Sequence, residues 1–355
     1  MVHTCAFPLS PLADHGLAMD VSIKDIAGVA EVSHSTVSRA LRDSPLISEE
    51  TKARVQQIAQ DMGYSPSAIA RGLVTKRTQA LGLVVTSIAD PFVAEVAQGI
   101  EERALTHGYS IILCQSQSDP DREIAAVDIL REKRVDAIIV TASRVGSYYL
   151  PLLEQLSVPV VLINNQQEGR YVHSVGTDNV HGGRQAACHL LDLGHTRLGF
   201  IAGPEWAAQS RQRLDGARHA LRERGLDFDP AHIAPGNGRC EGGERAMTQL
   251  LSHPSPPTGV FCYNDMTAIG ALRAAQQAGV RVPDELSIIG YDDVAYACYV
   301  TPPLTTVKQP KHEMGCQATE MALALLEGGD AVQNLLVPGE LVVRESCGPP
   351  RQTGQ

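Results

Sequence analysis

The stretch Val32-Ser33-His34-Ser35-Thr36-Val37-Ser38-Arg39-Ala40-Leu41 decides how the first part of the chain folds. As a helix capped by Ser33, it turns Val37, Ala40 and Leu41 to one side. His34, Ser35, Ser38 and Arg39 then project outward near the helix start. In a helix-turn-helix, the first residues of the second helix meet base edges in the major groove. Arginine grips guanine through two parallel hydrogen bonds, while serine and histidine read more permissively. The same pattern suits a small helical bundle whose polar face is merely solvated. Taken alone, the stretch does not separate the two readings.

Its flanks extend the pattern. Ser22 caps a helix that starts at Ile23, with Asp25 as reciprocal partner, and Ile23, Ile26, Ala27 and Ala30 share one face. A turn at Glu31-Val32 leads into the quoted helix. Ser48 caps a third helix, Glu49 to Met62, with Val55, Ile58, Ala59 and Met62 inward, and Gly63 stops it. Next comes Ser65-Pro66-Ser67-Ala68-Ile69-Ala70-Arg71-Gly72-Leu73. Ser65 and Pro66 suit a helix start. Nine residues are too few for a helix that stands alone in water, so this one folds only when something packs on it. A basic helix with an exposed leucine fits a minor-groove wedge; an ordinary linker is the competing reading.

Charge supports an end-on arrangement. The net charge is −10, yet Tyr64–Thr78 holds Arg71, Lys76 and Arg77 and no acid. A basic strip ahead of an acidic body is a charge asymmetry that can place nucleic acid at one end. From Ala80 the pattern changes to apolar runs alternating with amphipathic segments. Candidate strands are Leu81–Thr86, Ser110–Cys114, Ala137–Thr141, Val158–Ile163, Leu198–Ala202, Gly259–Tyr263 and Leu286–Gly290. Helical stretches lie between them. Strands this apolar belong in parallel sheets covered on both faces, and their number calls for two α/β lobes. The 355 residues, 43% hydrophobic and 20% charged, suit a multidomain globular chain. No apolar run approaches the roughly 20 residues of a membrane helix. The first eighteen residues show no secretory pattern, Met19 is an alternative start, and 1–20 reads as an unstructured leader. Eight cysteines without any CxxC fit a reducing cytoplasm.

The ordered motifs Ile23-Lys24-Asp25-Ile26-Ala27, Thr36-Val37-Ser38-Arg39, Gly63-Tyr64-Ser65-Pro66, Ala68-Ile69-Ala70-Arg71, Arg213-Leu214-Asp215-Gly216, Asn264-Asp265, Gly290-Tyr291-Asp292-Asp293 and Pro303-Leu304-Thr305-Thr306-Val307-Lys308-Gln309 resemble the lactose-repressor (LacI/GalR) family of bacterial transcription regulators. The resemblance spans about residues 21–346. It implies a helix-turn-helix head at 21–64, a hinge helix and linker at 65–79, and a two-lobed body at 80–346 like periplasmic sugar-binding proteins. It divides that body into a first lobe of about 80–177 with 308–337 and a second of about 178–307 with 338–346, leaving a tail at 347–355. The segment near Thr306–Gln309 is expected to return to the first lobe. The partners implied are a palindromic operator, a second copy of the chain, and a small effector, a sugar or sugar derivative, between the lobes.

Position by position, the resemblance assigns base reading to His34, Ser35 and Arg39, and phosphate contacts to Ser22, Ser33, Thr36, Ser38 and Ser48. It assigns the minor-groove hinge to Ala70, Arg71 and Leu73. Asp90, Phe92, Asn164, Arg213, Asn264, Asp292 and Gln309 match or border effector positions. Their chemistry makes independent sense, because ligands of open α/β sheets bind beyond the carboxyl ends of strands. Carboxylates, amides and an arginine suit vicinal hydroxyls, and an aromatic ring gives a sugar face its platform. Strand-end or helix-cap chemistry is the plainer account for Asp178, Asn179 and Asp293. Three departures stand out. Glu31 replaces the usual turn glycine, Gly72 replaces a common serine, and Gly236-Asn237-Gly238 lacks the aromatic ring of relatives, for which Trp206 is a candidate substitute.

Neither metal nor cofactor is expected. Twelve histidines form no HExxH or tight cluster. Gly242-Gly243 lacks the lysine and serine of a phosphate loop, and no nucleophile elbow appears. A solute-binding protein without DNA function would need an export signal and no head. An enzyme would need a base or nucleophile constellation. The tail, interrupted by Pro349-Pro350, has no apolar heptad to zip dimers into tetramers.

Overall fold

The computed structural model describes residues 21–64, 77–143, 158–164, 173–329 and 334–351. The leader and the hinge segment with Ala70, Arg71 and Leu73 lie outside the described residues. Two compact units form, dividing after Lys76.

The head contains α1 (Ile23–Ala30), α2 (His34–Ala40) and α3 (Glu49–Asp61). Each starts at the serine that sequence points to. The amide and hydroxyl of Ser22 donate to Asp25 Oδ2 at 2.8 and 2.6 Å, and Ser33 and Ser48 Oγ accept from the amides of Thr36 and Thr51. Ile26, Val37 and Val55 are fully buried at the centre. Glu31 ends α1 with φ 52° and ψ 41°, left-handed geometry that costs an L-residue roughly 1–2 kcal/mol. Glycine avoids that cost and gives part of it back as unfolded-state entropy. Glu31→Gly is therefore expected to stabilise the head by up to about 1 kcal/mol. Slower amide exchange at Ile26–Ala30 would show it; unchanged or faster exchange would contradict it.

The body is built on two six-stranded sheets. The first contains β1 (Ala80–Val85), β2 (Ser110–Gln115), β3 (Ala137–Thr141), β4 (Val160–Ile163), β5 (Ser174–Gly176) and, late in the chain, β11 (Leu335–Leu336). Their order is β11-β5-β4-β3-β1-β2, all parallel. The second contains β6 (Leu198–Ile201), β7 (Ile233–Ala234), β8 (Gly259–Cys262), β9 (Ser287–Asp292), β10 (Thr305–Lys308) and β12 (Glu340–Val342), in the order β12-β10-β9-β8-β6-β7. Among the described strands, only β12 runs antiparallel to its neighbour.

Alternation along the strands assigns each face its helices. Leu81, Leu83 and Val85 pack beneath α4 (Pro91–Thr106) and α10 (Lys311–Leu326), while Val84, Ile138 and Leu162 face α5 (Pro120–Glu132). In the second sheet, Phe200, Phe261 and Ile289 face α6 (Asn179–Asp192) and α7 (Ala208–Glu223). Ile201, Val260 and Ile288 face α8 (Cys240–Leu251) and α9 (Asp265–Gln277). The chain passes between sheets after β5, after β10 and after β11. Thr305–Lys308 stays in the second sheet, paired from Thr305 with Ile289. The return thus comes at Gln309–Pro310, slightly later than the motif suggested, because Thr306 and Val307 are buried partners of β9.

Candidate functional site

Several strands end in polar side chains that face one cavity of about 360 Å³ between the lobes. That volume is typical of a small-molecule site. Asp90, Phe92 and Asn164 line it from the first lobe, Trp206, Arg213, Asn264 and Asp292 from the second, and Gln309 from the crossing. All eight side chains singled out from sequence are thus brought together. Trp206 takes its place on the rim, 38% exposed.

Arg213 organises the second-lobe wall. It is buried, its Nε donates to Asn179 Oδ1 at 3.0 Å, and its Nη1 donates to the carbonyl of Tyr263. Its guanidinium lies 3.6 Å from the centre of the Tyr291 ring, a cation–π contact, and 3.9 Å from Asp292 Oδ1. Asn179 is thereby more than a cap residue: it orients the arginine. Asp178 caps α6, and Asp293 pairs with Arg344 at 2.6 Å, so these two have the structural roles expected of them. Asp90 and Asn264 do both jobs. Asp90 accepts from the amide of Phe92, and Asn264 Oδ1 accepts from the amide and hydroxyl of Thr267.

Asp292 is the most constrained group. Its Oδ1 accepts from Gln309 Nε2 at 2.6 Å, and Gln309 Oε1 accepts from Thr177 Oγ1 at 2.9 Å, so the Gln309 amide links two chain crossings and ties the carboxylate to them. Its backbone has φ 113°, a region that side chains avoid and that active sites tend to retain. Burial lifts its carboxyl to about 6, against the pull of Arg213, Gln309 and Lys311. Asp90 is also raised by burial, opposed by the Phe92 and Val93 amides and by Arg239. Asn164 spans the lobes in another way: its carbonyl accepts from Gln209 Nε2 of α7 at 2.9 Å. Its side-chain Oδ1 is buried with no hydrogen-bond partner among the described residues.

A pH dependence follows. A ligand hydroxyl that donates to Asp292 is held more strongly by the carboxylate than by the acid. Its affinity is expected to be flat above pH about 6 and to fall roughly tenfold per unit below it. Fold stability has the opposite sign, because the folded carboxyl holds its proton more tightly than an unfolded one. That contribution is complete below pH 3.8 and is lost as pH rises through about 6. Titration calorimetry across this range checks the first; an affinity independent of pH would exclude the carboxylate as acceptor.

Sequence reasoning missed Tyr263, Arg239 and Gln209, which also line the cavity. Tyr263 supplies the ring that Gly236-Asn237-Gly238 lacks: a side chain on Gly238 would lie 3.3 Å from it. The available signal was an aromatic residue just ahead of Asn264, at the mouth of a strand. Tyr263 reads instead as the last core position of that strand.

In the head, His34 and Ser35 are exposed at the start of α2 and Arg39 is exposed in its last turn. The five hydroxyls assigned to phosphates all bond within the head: Ser22 to Asp25, Ser33 with Thr36, Ser38 from Arg42 and Ser48 to Thr51. Among the described residues, no group of three histidine, cysteine or acidic side chains is placed to hold a metal. No described helix is long and apolar enough to cross a membrane.

Residues 22–67 match the family model for bacterial regulatory proteins of the lacI family, and residues 187–347 match that for a periplasmic binding protein-like domain. The HTH-type transcriptional repressor CytR of Escherichia coli strain K12 is 36% identical over 327 residues, covering 92% of this chain and 96% of the relative. The Lac repressor dimer bound to operator and the anti-inducer ONPF superposes with a TM-score of 0.85 at 27% identity, over 92% of this chain and 99% of that one. The regulator CelR in complex with cellobiose gives 0.71 at 29% identity, over the same 92% and 99%.

Proposed function

The chain belongs to the LacI family of bacterial regulatory proteins, and on that premise we propose that it represses transcription by binding a palindromic operator as a homodimer under the control of a sugar in its cleft. The observation that carries the effector reading is the convergence of Asp90, Asp292, Arg213 and Asn264 on one cavity flanked by Phe92, Trp206 and Tyr263. Carboxylates and amides accept and donate to vicinal hydroxyls, and the rings offer a flat apolar face. A similar regulator is bound to cellobiose, which supports this class of ligand. The mechanism is linkage. Ligand held by both lobes favours one lobe arrangement, and an arrangement that alters the spacing of two DNA-binding heads alters operator affinity by the same free energy. On this reading the protein works on chromosomal DNA in the cytoplasm.

A gel-shift titration on operator DNA selected from genomic fragments, with and without a monosaccharide and disaccharide panel, tests the reading. No sugar-dependent change would overturn the effector assignment. Arg39→Ala is expected to cost about 1–3 kcal/mol at the selected operator and much less on random DNA. Equal losses on both would reduce Arg39 to a phosphate contact. A two-fold operator needs two heads. Light scattering at micromolar concentration should accordingly report about twice the 38.0 kDa chain mass, and a stable tetramer would contradict that.

A further inference from the structure

Lys311 opens α10, just past the second crossing, and its side chain is 2% exposed. Its ammonium donates to the carbonyl oxygens of Asp292 and Asp293, both at 2.7 Å, and pairs with Glu95 Oε2 of α4 at 3.3 Å. Two of the ammonium's three hydrogens go to these carbonyls, and the Glu95 carboxylate balances its charge. The two carbonyls belong to consecutive residues with left-handed backbone, φ 113° at Asp292 and 54° at Asp293. Non-glycine residues persist in such conformations only when the surroundings over-determine them. The other support for the Asp292 carbonyl is the Gln309 amide, at a longer 3.3 Å. A buried amine is costly unless its charge is paired and its hydrogens are placed. Here the hydrogen bonds go to the end of β9 and the charge is paired with Glu95.

We infer that Lys311 is the positioning residue of the cleft: by gripping both carbonyls it holds the left-handed turn that aims the Asp292 carboxylate at Arg213 and Gln309, and through Glu95 it fixes that turn to a first-lobe helix. Its importance for ligand binding rests on the effector reading above, but the geometry is testable with no ligand present. The groups facing Asp292 are Arg213 on α7, Gln309 at the crossing, Asp90 at the start of α4, Asp265 at the start of α9, and Lys311 itself. Without the lysine, the two other carboxyls oppose ionisation with Arg213 and the Gln309 hydrogen bond left to offset them.

The experiment uses the full chain carrying Lys311→Met or Lys311→Arg, each with and without Asp292→Asn. Amide exchange is followed at Tyr291–Tyr296, and the unfolding temperature is followed across neutral and mildly acid pH. The part of the profile lost with Asp292→Asn reports that carboxyl. In Lys311→Met, exchange at Tyr291–Tyr296 is expected to quicken at least about tenfold while β1 and β3 are unaffected, and the Asp292 midpoint is expected to rise by about one pH unit. Lys311→Arg, which keeps the charge, should lie nearer the parent in both. The inference falls if Lys311→Met lowers the unfolding temperature equally at every pH with the midpoint or local exchange unmoved, as mere packing would. It falls too if the arginine variant behaves like the methionine one. D-ribose and cellobiose, added to the parent while Trp206 fluorescence is read, separate the two ideas. A cleft that binds neither weakens the effector reading and leaves the ligand-free outcomes as they are.

Discussion

Asp292→Ala is expected to abolish the effect of ligand on operator binding while leaving operator affinity in the absence of ligand intact. The carboxylate is buried, bonded to Gln309 and 3.9 Å from Arg213. A charge-assisted hydrogen bond to a ligand hydroxyl contributes about 1.5–3 kcal/mol, so its loss lowers affinity roughly 10- to 100-fold. The substitution also leaves Arg213 buried beside a cavity without its nearest carboxylate, which disfavours an uncharged ligand further. Because Asp90 and Phe92 line the same cavity from the other lobe, a ligand that no longer engages Asp292 discriminates far less between lobe arrangements. The exposed side chains of α2 are untouched. Fluorescence anisotropy on labelled operator across ligand concentrations reads both effects; a normal ligand response in the variant would sink the cleft assignment.

Gly183→Val is expected to destabilise the second lobe by about 3 kcal/mol and so lower its unfolding temperature by roughly 5–10 °C. Gly183 on α6 faces the backbone of Arg213 on α7, and Gly216 on α7 faces the carbonyl of Val180 on α6. Each helix meets the backbone of the other at a glycine, and any Cβ at Gly183 strikes a carbonyl oxygen and its carbon. Rotamer changes relieve clashes with side chains, but not with backbone. α7 must then move away, and Arg213 moves with it, so ligand response is lost together with stability. Calorimetry would show it, and an unfolding temperature matching the parent would mean that the helices separate without cost.

That crossing explains a sequence feature that otherwise reads only as an incomplete phosphate loop. Gly243 of α8 lies against the carbonyl of Thr267 on α9, as Gly183 lies against Arg213. The glycines serve helix packing, and no local pattern reveals this, because the partner lies on another helix. The long apolar strands and the capping serines were legible for the opposite reason: alternation and caps are properties of a single segment. Edge strands of two or three residues, such as Ile233–Ala234 and Leu335–Leu336, carry no periodicity and exist only through their neighbours. In the site, Asp90, Asn164, Asn264 and Asp292 stood out because polar residues end apolar runs. Tyr263 was hidden because its apolar body continues such a run. Lys311 was hidden because a lysine at the start of a helix ordinarily reads as solvated surface.

The three crossings also govern when each lobe can become stable during synthesis. The core of the first sheet is closed by Met314, Ala318 and Met321 on α10, which leave the ribosome only after the whole second-lobe segment from Asn179 to Lys308. Until then Leu81, Val96 and Ile139 lack part of their cover, and the nascent first lobe exposes an apolar face. The second lobe waits in turn for β12. Contacts this distant in sequence must meet the cost of closing long loops before they return any stability, so they are made late. The body therefore matures only once β12 has been made, while the head, whose core lies within residues 21–64, is synthesised well before it.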